Sequence, residues 1–278
     1  VLGVGALAMV LLHFAMPEEE KVVYEIFHLP SSPLEIFAAN AEPEKEQSQD
    51  EMLLQEALEQ NQEVYLAECE SQDTVTLLFA GDILMDDHYA VMSTYHNREN
   101  DINQAFDQGL LEQMRNADIF MINNEFTFTS RGTPTVNKKF TFRANPGNVS
   151  MYEEMGVDIV SVANNHIYDY GEISLLDTLD TLEQAEIPYV GAGRNLQEAM
   201  TPVYYIANGM KIAFVSATQI ERNSVPDTKE ATQDSAGVLR CMNPDNLLLV
   251  IEEAKKNSDY VILYIHWGTE SQEAIDWL

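Results

Sequence analysis

Apolar and polar positions along residues 74–265 switch between two periods, and the switches outline the elements. Short β-branched or apolar runs predict buried strands at residues 74–80, 119–122, 159–163 and 260–265. Between them apolar positions recur at helical spacing over residues 102–115, 149–155 and 173–185. In the last of these Leu175, Leu176, Leu179 and Leu182 share one face. Residues 140–143 suit a short strand or an extended loop, and Tyr189-Val190 reads as a short strand before a tight turn at Gly191-Ala192-Gly193. Residues 203–206 and 211–216 flank Asn208-Gly209, a strong hairpin signal. Asn243 as cap and Pro244 at the first helical position open a helix running to about residue 256. Strands alternating with helices predict an α/β domain with an antiparallel hairpin inserted.

The pattern before residue 74 is different. Residues 1–16 are apolar apart from His13, and Pro17-Glu18-Glu19-Glu20 follows at once. Sixteen helical residues reach about 24 Å, short of the roughly 20 residues a bilayer crossing needs. The chain opens on Val1 rather than Met, so the expectation is a signal anchor whose start lies upstream. Residues 17–73 hold 16 acidic side chains against Lys21 and Lys45. That composition predicts an extended, solvated stalk, with a helix over residues 52–68 inside it. Few basic residues after the apolar run suit the exported side, which places the globular part outside a cell membrane crossed once. The expected organisation is an anchor at 1–16, a stalk at 17–73 and a domain at 74–278, incomplete at its C-terminal end.

Charge narrows the partners. Lys and Arg number 15 against 46 Asp and Glu, a net charge of −31. Such a surface repels nucleic acid and leaves divalent cations and basic partners compatible. Cys69 and Cys241 fit no metal-ligand spacing.

Four predicted strands end in polar clusters: Gly81-Asp82, then Asn123-Asn124-Glu125, then Asn164-Asn165-His166 with Asp169, and finally His266-Trp267-Gly268 with Glu270. Caps and turns use the same residue types, so a single cluster says little. Four of them converge if their strands share a parallel sheet, where chemistry is placed at the carboxyl ends. Carboxylate, amide and imidazole together form a ligand set for Mn²⁺, Zn²⁺ or Fe. Basic residues are scarce, so Arg131, Lys138, Lys139 and Arg143 in one loop stand out. They suit either an anionic substrate or ordinary ion pairs with the many acids.

The series Gly81-Asp82, Asn123-x-Glu125, Asn164-Asn165-His166-x-x-Asp169-x-Gly171, Gly191-Ala192-Gly193 and His266-Trp267-Gly268-x-Glu270 resembles the CapA-type poly-γ-glutamate capsule synthesis proteins. Arg131-Gly132-Thr133-Pro134 and Phe140-Thr141-Phe142-Arg143 extend the likeness, which runs from about residue 74 to the end. The resemblance implies a calcineurin-like metallophosphoesterase fold, a sandwich of sheets flanked by helices, with one or two divalent metals. By position it implies Asp82, Glu125, Asn165 and His266 as metal ligands and His166 as general acid, oriented by Asp169. Asn123, Asn164 and Glu270, together with Lys139 and Arg143, are then left to meet substrate, an anionic polymer or a phosphate ester. Synthase components are the implied partners. Departures are visible: no His follows Asp82 at the Asp-x-His spacing, and the second carboxylate is Glu125 rather than Asp. The later His-x-His element is absent, and Asp86-Asp87-His88 has the literal pattern only beyond the strand end. Three functions stay open: a capsule export or attachment protein, a metal-dependent phosphoesterase, and a non-catalytic scaffold.

Overall fold

The computed structural model describes residues 10–15, 47–220 and 228–268. In chain order the elements are β1 (Val10–Ala15), α1 (Gln49–Glu59), β2 (Glu63–Leu66), β3 (Thr74–Ile83), α2 (Ala90–His96), α3 (Ile102–Ala105) and α4 (Gln108–Arg115). Next come β4 (Ile119–Asn124), β5 (Thr127–Phe128), β6 (Arg143–Ala144), α5 (Ser150–Met155), β7 (Ile159–Ser161), α6 (Glu172–Gln184), β8 (Tyr189–Val190), β9 (Ala192–Gly193) and α7 (Leu196–Ala199). The order closes with β10 (Val203–Ala207), β11 (Met210–Thr218), β12 (Gly237–Val238), α8 (Asp245–Lys256) and β13 (Tyr260–His266).

Two sheets carry the architecture. The first runs β1-β3-β4-β7-β8, parallel from β3 to β8 with β1 antiparallel at the edge. The second runs β13-β11-β10-β2, where β10 and β11 are the antiparallel hairpin and β13 and β2 add parallel strands on either side. Asn208 and Gly209 turn the hairpin with φ of 51° and 74°, the paired positive values of a primed turn.

Strand alternation sorts the core. Leu77 and Phe79 of β3 meet Ile212 and Phe214 of β11 between the sheets. Leu78 and Ala80 point the other way, into a second core with Leu175, Leu179 and Leu182 of α6. On the far side Ala213, Val215 and Ala217 pack with Leu247, Val250 and Ala254 of α8. Layers therefore stack as helix, sheet, sheet, helix. Both faces of the central strands are covered, which is why they read as unbroken apolar runs rather than alternating ones.

Several expectations are corrected. No helix among the described residues is long and apolar enough to cross a membrane, so the predicted single-pass anchor and the outside location built on it are not supported. Within that apolar run, Val10–Ala15 pairs with β3 as an edge strand; the rest of residues 1–16 lies outside the described residues, as does the stalk up to residue 46. The helix expected over 52–68 begins at Gln49 behind a Ser48–Glu51 capping box and stops before Asn61, whose φ is 54°. Val64 and Tyr65 then join the second sheet in β2. The helix expected over 102–115 is broken, because Asp107 caps α4 through Gly109 N and Leu110 N while Phe106 is extended.

At the edge of the first sheet away from the strand ends, two carboxylates close the backbone ladder. Asp118 accepts from Thr76 N at 2.6 Å and Asp158 from Phe120 N at 2.7 Å. Burial pushes the Asp158 carboxyl up to about 6, against the Phe120 N–H and with help from the charge of Asp118. The folded chain thus holds this proton more tightly than an unfolded chain, in which an Asp titrates near 4. The stability from this group is present below pH ~4 and is lost as pH rises through about 6. Urea unfolding of Asp158→Asn from pH 4 to 7 is expected to show that decline flattened relative to the parent, and an identical pH slope would refute it.

Candidate metal centre and its supporting loop

The strand ends meet because of local irregularities. Against β4, β3 pairs Phe79 with Met121 but Asp82 with Asn123, so two residues on β3 stand opposite Ile122 alone. Such a bulge re-aims the side chains beyond it. It sets Asp82 beside Asn123, and Glu125 follows β4 with its N–H on the Ile83 carbonyl at 3.2 Å. β7 ends at Ser161 and the chain turns through Asn164, Asn165 and His166. His266 comes from the second sheet rather than from the same one, its carbonyl held by Thr218 Oγ1 at 3.1 Å.

A chain of buried amides joins these ends, and its polarity is dictated from one place. The His166 N–H donates to Asn164 Oδ1 at 3.0 Å, so Asn164 Nδ2 must donate onward, to Asn123 Oδ1 at 3.0 Å and Asn124 O at 2.8 Å. Asn123 Nδ2 then donates to Asp82 Oδ1 at 2.7 Å and faces His266 Nδ1 at 3.2 Å. With Nδ1 accepting, the His266 ring proton sits on Nε2 and is donated to Asn165 Oδ1 at 2.8 Å. Asn123 and Asn164 are fully buried. Their amides orient the cleft residues.

Asp82, Glu125 and His266 each offer an atom within 4.8 Å of the others, the one such group among the described residues. Burial alone would raise both carboxyls. The His266 ring 3.6 Å away and the hydrogen bond from Asn123 outweigh it at Asp82, which falls to about 2. Glu125 is driven up to about 9 by burial, then by the charge of Asp82 and the hydrogen bond the two acids share. The two acids thus compete for one proton, whose place a divalent cation would take. Two carboxylates and an imidazole, with the Asn165 amide adjoining, fit an ion of the Mn, Zn or Fe class.

The other half of the cleft is built on Asp169, fully buried. Its Oδ2 accepts from His166 Nδ1 at 2.7 Å and from Phe142 N at 2.6 Å, and its Oδ1 from Lys138 Nζ at 2.5 Å. The His166 proton thus sits on Nδ1, and Nε2 lies 4.0 Å from Glu125 Oε1. Burial lowers the His166 pKa, opposed by Asp169 and reinforced by Lys138 and His266, which favours the neutral ring. The Phe142 ring stacks on it, centroids 4.2 Å apart.

The remaining candidates divide. Arg143 lies over the Tyr170 ring and Lys139 over Phe140, each at 4.7 Å, beside the ring that covers His166. Arg131 pairs with Asp177 on α6, the ordinary ion pair, and Glu270 lies outside the described residues. Asp86 of the Asp-x-His coincidence is buried and accepts from Arg143 N at 2.8 Å, a structural anchor. Lys138 and Phe142 escape a reading of strand ends, because both sit on a loop whose docking no periodicity reveals. The scarcity of basic residues was the one signal for Lys138.

The sequence model of the family described as bacterial capsule synthesis protein PGA_cap matches residues 76–277. Capsule biosynthesis protein CapA of Bacillus anthracis is 28% identical over 205 residues, covering 71% of this chain and 47% of that protein. PGA biosynthesis protein CapA of Bacillus subtilis is 29% identical over 202 residues, covering 72% and 50%. A probable polyglutamine synthesis accessory protein of Mycobacterium tuberculosis is 30% identical over 158 residues, covering 55% and 42%. The chain thus spans about half the length of the curated relatives it matches.

Asn164→Ala would strand the His166 N–H, Asn123 Oδ1 and the Asn124 carbonyl without partners in a dry interior. The expected loss is roughly 2–4 kcal/mol in urea unfolding, since each buried orphan costs about 1–3 kcal/mol and the three relax together. A loss under about 0.5 kcal/mol, the scale of an ordinary surface change, would show that the relay is not a structural element.

Proposed function

Because the chain belongs to the bacterial capsule synthesis protein PGA_cap family, we propose that it acts in poly-γ-glutamate capsule biosynthesis through a divalent-metal centre in this cleft. The meeting of Asp82, Glu125 and His266 at three strand ends carries the reading. The names of the two Bacillus relatives supply the pathway, and synthase components are the partners it suggests.

Asp82, Glu125 and His266 would hold the ion, with Asn165 as a fourth donor. When bound, the metal would polarise an anionic oxygen and favour attack by water. The residues around it have separable tasks. His166 presents Nε2 to the cleft with its other nitrogen tied to Asp169, so a proton can be held or taken only on the cleft side. Phe142 covers one face of that ring and keeps water off it. Lys139 and Arg143, each stacked on an aromatic ring, offer positive charge to a phosphate ester or to the polymer's own carboxylates. The reaction class these parts suit is metal-assisted hydrolysis at an anionic centre.

Metal content after Mn²⁺ loading, and hydrolysis of a generic phosphodiester, test the two halves separately. Glu125→Gln is expected to lower metal occupancy, because a neutral amide replaces an anionic ligand. His166→Asn is expected to keep the metal and slow hydrolysis by roughly 10²–10⁴, the usual worth of a general acid–base group. A parent protein that binds metal and hydrolyses nothing would favour the scaffold among the three readings. One that binds no metal at all would remove the proposed centre.

A further inference from the structure

Lys138 is nearly the inverse of a surface lysine. Its backbone sits in the loop between β5 and β6, yet its side chain is 8% exposed. The ammonium donates to Asp169 Oδ1 and to the Asn165 carbonyl, both at 2.5 Å. Those acceptors belong to opposite halves of the cleft. Asp169 fixes the His166 ring, and Asn165 receives the His266 ring proton through its own amide. The loop carrying Lys138 is clamped to the same place, since Thr135 N donates to the Asp169 carbonyl at 2.8 Å and Phe142 N to its carboxylate.

We propose that Lys138 is a positioning residue that couples the two imidazoles, holding His166 and His266 in register across the cleft through Asp169 and Asn165. The inference rests on the reading of this cleft as the functional site, but not on its chemistry. A lysine suits the task because its ammonium is a compact point charge with three donors, able to serve a carboxylate and a carbonyl at once. Removing it would leave the Asp169 carboxylate short of one charge-assisted bond and free the Asn165 peptide. Both rings would then lose a fixed neighbour.

Imidazole proton and nitrogen resonances of the metal-free full chain read this directly, with the His166 signal assigned by its absence in His166→Asn. The parent is expected to show a slowly exchanging Nδ1 proton on His166 and a His266 ring protonated on Nε2. In Lys138→Met the His166 proton should exchange at least roughly tenfold faster, as local opening becomes easier, and the His266 ring nitrogens should shift as well. Lys138→Arg, which keeps the charge and the donors, should restore both signals. A folded Lys138→Met with both rings unchanged overturns the proposal. So does a change at His166 alone, because the bridge to Asn165 would then be idle. If Lys138→Met does not fold, Lys138→Gln takes its place: its amide is neutral and one bond shorter than the ammonium, so it cannot reproduce the charged bridge to both acceptors, at least one ring should respond, and no response overturns the proposal. The measurement uses neither metal nor substrate, so it fails or succeeds independently of the proposed hydrolysis.

Discussion

The buried carboxylate of Asp169 is the constraint on which the cleft depends. An ion taken out of water costs several kcal/mol unless its oxygens are answered. Here they are answered by an imidazole, a backbone N–H and an ammonium, from three separate points of the chain. Each donor is drawn in by the same charge. Apart from Phe142, the loop of residues 131–143 has little apolar surface to bury, since Val136 and Phe140 both remain exposed, so these polar contacts do much to hold it over the strand ends. Removing one member of such a buried set costs about 3–5 kcal/mol, so the loop, the histidine and the acid stand or fall together.

The cleft is also where the two sheets meet, and the join is close. Gly191, with φ of 90°, leaves room at a point where a Cβ would sit 2.7 Å from the Ser216 carbonyl, and Ser161 and Ser216 share a hydroxyl bond at 2.7 Å. That contact brings the end of the second sheet against the end of the first. His266 can then approach Asp82 and Glu125 to 3.6 Å. The apolar layer between the sheets, with Leu77, Phe79, Ile212 and Phe214 in it, is therefore more than a source of stability. It sets the distance between ligand donors that are far apart in sequence.

Much of this was legible beforehand because the central strands are short, apolar and sharply ended. The polar clusters after such runs stood out as a set, and the family resemblance then singled out Asp82, Glu125, Asn165 and His266 within them. Sheet membership was not legible: residues 260–265 look like any buried strand, and only pairing with β11 places His266 in the second sheet. The roles of Asn123 and Asn164 were equally hidden, since an amide that meets a substrate and one that meets another amide are the same residue. Lys138 shows the limit most clearly. Its partners are an acid and a carbonyl over 25 residues away, and neither propensity nor period encodes a loop's docking. The apolar start of the chain misled for the opposite reason, since length and hydropathy alone do not separate a helix from the edge strand seen at Val10–Ala15.

One diffraction measurement bears most directly on the central claim, that three strand ends form a single metal centre. Crystals of the full chain soaked in Mn²⁺ should give one strong anomalous peak between the side chains of Asp82, Glu125 and His266. Oxygen and nitrogen ligands should lie about 2.0–2.3 Å away, within the usual range for a hard to borderline divalent ion. A crystal with no peak in the cleft, or with manganese bound only elsewhere on this acidic surface, would contradict the account.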